Sequence, residues 1–219
     1  MHIPDGFLDV KTVVSTYALS GAAGVVSLSR VRKKLEDEKA PLLGVLAAFI
    51  FAAQMVNFPV LNGTSGHLIG GLLAALLVGP WAGFFVIASV LFVQAIGFQD
   101  GGIAAFGANV FNMAVIGTIG AYWIFVGVKR LTRSYWVSAA VAAWAGVFLA
   151  SIACALELWA SGHVALDLVL PAMAGVHAVI GIGEAVITVG VVRAIAAVRP
   201  DVLPDFVSVS PQEVAAHEA

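Results

Sequence analysis

Seven apolar runs follow one another along this 219-residue chain, most of them long enough to cross a bilayer as helices. A spanning helix needs about 20 mainly apolar residues. The runs cover roughly residues 12–29, 41–59, 67–78, 81–98, 103–128, 135–159 and 171–197. Between them lie breakers and charges: a basic stretch from Arg30 to Lys39, an Asn/Gly/Ser loop at 61–66, Gly79-Pro80, Gln99-Asp100-Gly101-Gly102, Lys129 to Arg133, and a looser stretch holding Gly162, His163 and Asp167. The third run is short for a full crossing and the first is less apolar than the rest. Only 11% of residues are charged, 61% are of the AVILMFWYC set, and mean hydropathy is +1.00. A soluble domain carries about a quarter charged residues, so too little polar surface exists here to face water. The expected fold is an all-α membrane protein of about seven transmembrane helices. It forms a single domain over 1–199, followed by a polar, mobile cytoplasmic tail over 200–219.

Lys and Arg in short loops set the orientation of such a chain. Numbering the sides by parity puts the 30–39 loop, the 129–133 loop and the C-terminal end together. They hold every Lys and Arg except Lys11. That side is expected to be cytoplasmic, with the N-terminus and the 61–66, 99–102 and 159–170 loops outside. The net charge of −2 gives no reason to expect a nucleic-acid partner. The single cysteine, Cys154, cannot form an internal disulfide or a thiolate cage and reads as a small buried side chain.

Polar groups within the apolar runs then acquire a depth. Gln54 and Asn57, Gln94, Asn109 and Asn112, Glu157, and His177 all fall in the outer part of their helices, with Glu184 near mid-membrane. One reading is interhelical hydrogen bonding, worth about 0.6–2 kcal/mol a pair. The other is a ligand pocket opening outward, since polar groups at membrane depth are costly and mark function.

His2 and His67 lie on that same outer side. The opening Met-His-Ile-Pro-Asp-Gly lacks the basic stretch and apolar core of a secretory signal. A bulky second residue generally blocks removal of the initiator Met, so a free amine at Met1 is expected. A histidine at position two beside a free amine can chelate through three nitrogens: the amine, the His2 amide once deprotonated, and the His2 Nδ1. The rings formed are five- and six-membered, and His67 could fill the vacant in-plane position. Four planar nitrogens suit nickel(II) or copper(II). Asp5-Gly6 makes a turn that could fold the N-terminal strand into the bundle. Gln94 or Asn109 is placed to orient His67 through its other ring nitrogen.

Here the sequence resembles a known family. Met1-His2-Ile3-Pro4-Asp5-Gly6-Phe7 is similar to the start of the nickel- and cobalt-specific substrate-binding components of energy-coupling factor transporters. Asn62-Gly63-Thr64-Ser65-Gly66-His67, Gly79-Pro80-Trp81, Gly101-Gly102-Ile103, Gly107 to Met113 and Gly181 to Ala185 match as well. The resemblance implies a six-helix core with an extra N-terminal helix, in a prokaryotic cytoplasmic membrane. It implies Met1, His2 and His67 as metal ligands, with Ni2+ or Co2+ as transported substrate rather than cofactor. Implied partners are a coupling transmembrane component and two ATPase subunits, with a small accessory membrane protein as an open option. Ala48 and Ala52, four apart, fit the family's contact with the coupling component.

No phosphate-binding loop, Gly-x-Ser-x-Gly or His-Glu-x-x-His occurs, so the chain reads as neither an ATPase nor an enzyme. Two alternatives stay open. One is a self-sufficient divalent-metal channel or proton-coupled permease using Glu157, His177 and Glu184. The other is a scaffold whose polar layer only holds helices together.

Overall fold

A computed structural model describes residues 1–32, 40–60 and 64–203. Among these the chain forms seven helical rods and one small hairpin. They are α1 (Val10–Val31), α2 (Ala40–Gln54), the strands β1 (Phe58–Val60) and β2 (Thr64–Gly66), α3 (Gly71–Val78), and α4 (Pro80–Gly97). Next come α5 (Phe106–Val110), a π-helical stretch (Phe111–Gly120) and α6 (Ala121–Thr132), which run on as one rod. The long helices α7 (Tyr135–Ala160) and α8 (Leu166–Val198) close the bundle. Five of the rods are long and apolar enough to cross a membrane.

The distribution of side chains is the reverse of a soluble bundle. On α1 the buried residues are Thr16, Ser20 and Ser27, while Val10, Val14, Leu19 and Val25 face outward. On α8 the inward stripe includes His177, Gly181, Glu184 and Thr188, and Val179, Ile182 and Val186 face out. Lipid is as apolar as Leu, so burying Leu against a neighbour gains little there. Small and polar residues take the helix contacts instead. The Ser20 hydroxyl donates to the Gly107 carbonyl at 2.7 Å, tying α1 to α5. Trp144 Nε1 donates to the Ala178 carbonyl at 2.9 Å, tying α7 to α8.

The helix starts follow from capping. Asp9 accepts the Thr12 N–H at the start of α1, and Ser134 accepts the Val137 N–H at the start of α7. Helix α8 begins at Leu166, ahead of the expected start at Pro171. A proline this early forfeits only one backbone bond, to the carbonyl of Asp167 in the first turn. Past residue 199, Pro200–Val202 makes one 3₁₀ turn and Leu203 is buried. The remainder of the expected tail, 204–219, lies outside the described residues, as do residues 33–39 and 61–63.

The third run departs most from its expected boundaries. It begins its helix at Gly71, four residues past His67, and α3 is only 8 residues long. At 1.5 Å per residue that is about 12 Å, less than half the hydrocarbon thickness. The segment before it is irregular, yet Gly66, His67 and Ile69 are buried. Non-helical backbone is tolerated at membrane depth only where protein satisfies it. Helix α3 sits at the centre of the bundle, against α4, the π-helical stretch, α6, α7 and α8. Helix α1 is peripheral and packs on α4, α5 and the π-helical stretch, consistent with an added helix beside a core of six.

Gly71 rests directly against the carbonyl of Gly117 in the π-helical stretch, leaving no room for a side chain. Gly71→Ala should therefore destabilise the detergent-solubilised protein by about 1–3 kcal/mol. Gly175→Ala, whose added methyl meets nothing, should stay within about 0.5 kcal/mol. Thermal unfolding of the two variants checks the contrast.

A candidate metal centre built on the buried N-terminus

The first three residues lie inside the molecule: Met1, His2 and Ile3 are 0%, 4% and 0% exposed. Three sets of hydrogen bonds hold them there. Ile3 donates its N–H to Asn109 Oδ1 at 2.8 Å, and Asn109 Nδ2 donates back to the Ile3 carbonyl at 3.1 Å. The Gly102 N–H donates to the same carbonyl at 2.9 Å. Asp5 then accepts the N–H groups of Ile103, Ala104 and Ala105 at 3.1, 2.7 and 3.3 Å. The strand thus docks along the 101–105 loop as an extra edge, with Asn109 imitating a backbone partner. Gly101 has to be bare for this. Its φ is +94°, and a Cβ would lie 3.1 Å from Asn109 Nδ2 and 3.3 Å from His2 Cδ2.

The docked segment brings the Met1 amine and the His2 ring against the Ser65–Leu68 segment. The Met1 amine donates to the Ser65 carbonyl and lies 3.3 Å from Ser65 Oγ. The His2 and His67 rings stack, with centroids 4.4 Å apart and planes 20° from parallel. His67 Nδ1 lies 2.7 Å from the Leu68 carbonyl. A carbonyl can only accept, so Nδ1 carries the hydrogen and Nε2 presents a lone pair. That Nε2 is buried and unpartnered. His2 is held at both ring nitrogens, with Nε2 3.1 Å from Gln94 Oε1 and Nδ1 3.2 Å from Asp100 Oδ1. Burial makes the unpartnered lone pair of His67 Nε2 expensive unless something takes it.

Protonation is arranged for donation. Burial holds the Met1 amine down to about 5 from its ordinary 8.0, against the pull of nearby Cys154 and Asp100. Burial also lowers His2, although the Asp100 contact opposes it. His67 is held well below the usual histidine range by burial, then by the terminal amine and His2. Burial would raise Asp100. The His2 contact, the amine and a hydrogen bond from Asn57 outweigh it and hold the carboxylate ionised. At neutral pH the centre is three neutral nitrogen donors beside one carboxylate, with the His2 backbone amide between them.

The other expected pocket residues are dispersed around it. Gln94 orients His2 and Asn109 holds Ile3, so neither orients His67 as expected; that ring is held by the carbonyl of its own neighbour. The error came from depth, which cannot say which helix faces meet. Gln54 donates to the Ile69 carbonyl at 2.7 Å, one step below His67. Asn112 donates to Glu157 Oε2 at 2.7 Å, and exposed Asn57 reaches Asp100. Ala48 and Ala52 are exposed on one face of α2. Asp5 and Asp100 are the functional residues that sequence reasoning missed. The bare Gly101-Gly102 pair was the available signal, because paired glycines in a polar loop admit another backbone.

The family model for the cobalt uptake substrate-specific transmembrane region matches residues 2–202. The chain belongs to that family. A putative fused nickel transport protein of Archaeoglobus fulgidus is 45% identical over 206 residues, spanning 93% of this chain and 68% of the relative. A putative metal transport protein of Haloquadratum walsbyi is 42% identical, spanning 93% of both chains. A crystal structure of a truncated transition metal transporter superposes with a TM-score of 0.86 at 34% identity, covering 90% of this chain and 99% of the other. The family match extends through Pro200–Val202.

Asn109→Ala leaves the buried Ile3 N–H unsatisfied and removes one of two donors from its carbonyl. A loss of this kind costs about 1–3 kcal/mol, so the Met1 amine should react with an amine-labelling reagent roughly tenfold faster or more. Mass spectrometry of the N-terminal peptide after timed labelling reads the difference.

Proposed function

We propose that this chain is the substrate-binding component of an energy-coupled importer, capturing nickel(II) or cobalt(II) at the outer face. The ligands in this reading are the Met1 amine, the His2 amide and Nδ1, and His67 Nε2. The observation that carries it is the buried terminal amine beside two buried, stacked imidazoles, with His67 Nε2 unpartnered. Membership of a cobalt uptake family and the nickel transport name of its Archaeoglobus relative support the choice of cation. One amide proton leaves on binding, so the bound ion and its ligands carry about one net positive charge, which Asp100 at the rim of the centre can neutralise.

Transport needs work that these residues do not supply, and we assign it to a coupling membrane component and two ATPase subunits in a prokaryotic cytoplasmic membrane. The basic loops then face the cytoplasm and the metal centre faces outward. The exposed Ala48–Ala52 face of α2 is the contact for the coupling component. The groups a proton-coupled permease would use have other partners in the fold. Glu157 accepts from Asn112, His177 Nδ1 bonds to the Met173 carbonyl, and Glu184 accepts from the backbone of 69–70.

Placing two residues ahead of Met1 leaves every side chain intact but moves the free amine out of chelate-ring reach of the His2 amide, without creating a new chelating histidine at position three. Purified protein extended in this way should lose tight nickel and cobalt binding, as should His2→Ala and His67→Ala; retained binding in the extended chain contradicts the reading.

Proton competition gives a second test. Near neutral pH the amine and both lowered imidazoles are already neutral and only the amide proton is released, so log affinity for nickel should rise there with a slope near one per pH unit. Below about 5 the amine is protonated first and the slope should steepen toward two. An ordinary solvated amine, at 8.0, would place that break three units higher. Nickel titrations between pH 4.5 and 8 locate it.

A further inference from the structure

The two halves of the metal centre are held by different parts of the fold. The Met1–His2 arm is clamped by Asn109, Asp5 and the 101–105 loop. The His67 arm is the irregular segment from Ser65 to Gly70, and its supports come from α2 and α8. Glu184, near the middle of α8 and 3% exposed, reaches across the bundle to it. Glu184 Oε2 accepts the Ile69 N–H at 2.8 Å and Oε1 accepts the Gly70 N–H at 2.7 Å. On the opposite side of the same turn, Gln54 Nε2 donates to the Ile69 carbonyl at 2.7 Å.

Every one of these contacts falls within three residues of His67. Gly70 adopts φ +71°, a left-handed conformation found where successive N–H groups converge on one anion. The turn also opens the N-terminal end of α3, where a carboxylate is electrostatically favoured. His67 in turn bonds its ring to the Leu68 carbonyl, inside the segment that Glu184 and Gln54 pin. A ring hung on its own backbone points wherever that backbone is held.

We propose that Glu184 is the positioning residue for His67: its carboxylate fixes the Ile69–Gly70 turn and so aims His67 Nε2 at the fourth position of the metal. This rests on the reading of His67 as a ligand. It assigns to a buried acid in a spanning helix a structural reason to be there, and it links α8 to the metal without a direct contact. Neither Asn109 nor Asp5 hydrogen-bonds to this arm; the two arms meet where the Met1 amine bonds to Ser65 and where the His2 and His67 rings stack.

The test is a double-variant cycle on the full-length protein in detergent, with nickel(II) affinity measured by chelator competition and folding checked by thermal unfolding. Glu184→Gln keeps the side chain's size but can accept from only one of the two N–H groups. Its nickel affinity should fall about tenfold to a hundredfold, the usual effect of losing an outer partner. Its visible ligand-field band should shift toward that of His67→Ala. In the His67→Ala background Glu184→Gln should cost nothing further, because the ring it aims is gone. Glu184→Asp keeps two acceptors one methylene short. It should show a smaller loss that also vanishes in that background, and it carries the cycle where Glu184→Gln does not fold. Losses that add in the double variant, or wild-type affinity with an unshifted band in Glu184→Gln, overturn the role of Glu184 alone. Wild-type affinity in His67→Ala removes the ligand reading, and this one with it.

Discussion

Burying the Met1 amine is the constraint from which most of the structure around the N-terminus follows. An ammonium group in an apolar interior is prohibitively costly, so the terminus can be inside only as a neutral amine, and a neutral amine is a donor. Holding it there takes a strand-like track for residues 1–6. Asn109 and Gly102 pair with Ile3, Asp5 gathers three N–H groups, and Gly101 stays bare beneath His2. Remove the track and the terminus would return to water and protonate.

The membrane supplies the second half of the logic. In water a polar cluster this size would compete with solvent for its own side chains. In lipid the bundle turns its polar residues inward, and Gln94 on α4, Asn109 on α5 and Glu184 on α8 hold the N-terminal segment and the irregular segment before α3. The short α3 is the clearest consequence. The residues just before it, 67–70, are not helical, and Glu184 and Gln54 satisfy their backbone groups instead.

Much of this could be read from residues alone. The long runs marked α1, α4, the α5–α6 rod, α7 and α8, because about 20 apolar residues in sequence have few other uses. His2 beside a free amine pointed to its own chemistry, because chelate ring size is a covalent property that no fold can change. Tertiary pairing was not legible. Gln94 and Asn109 sit at the depth expected of partners for His67, but they meet His2 and Ile3, and periodicity does not say which faces meet. The start of α3 was missed for the same reason: an apolar run looks helical throughout, and only remote side chains at 54 and 184 allow residues 67–70 to remain irregular.

The central claim is that the terminal amine and amide bind the ion together with two imidazoles. X-ray absorption of the nickel-loaded protein, joined to a magnetic measurement, tests it most directly. Four planar nitrogens around a d8 ion give a diamagnetic centre, with a first shell of nitrogen alone and the outer-shell scattering of two imidazole rings. A paramagnetic, six-coordinate ion with oxygen in its first shell, or scattering from a single imidazole, would contradict it.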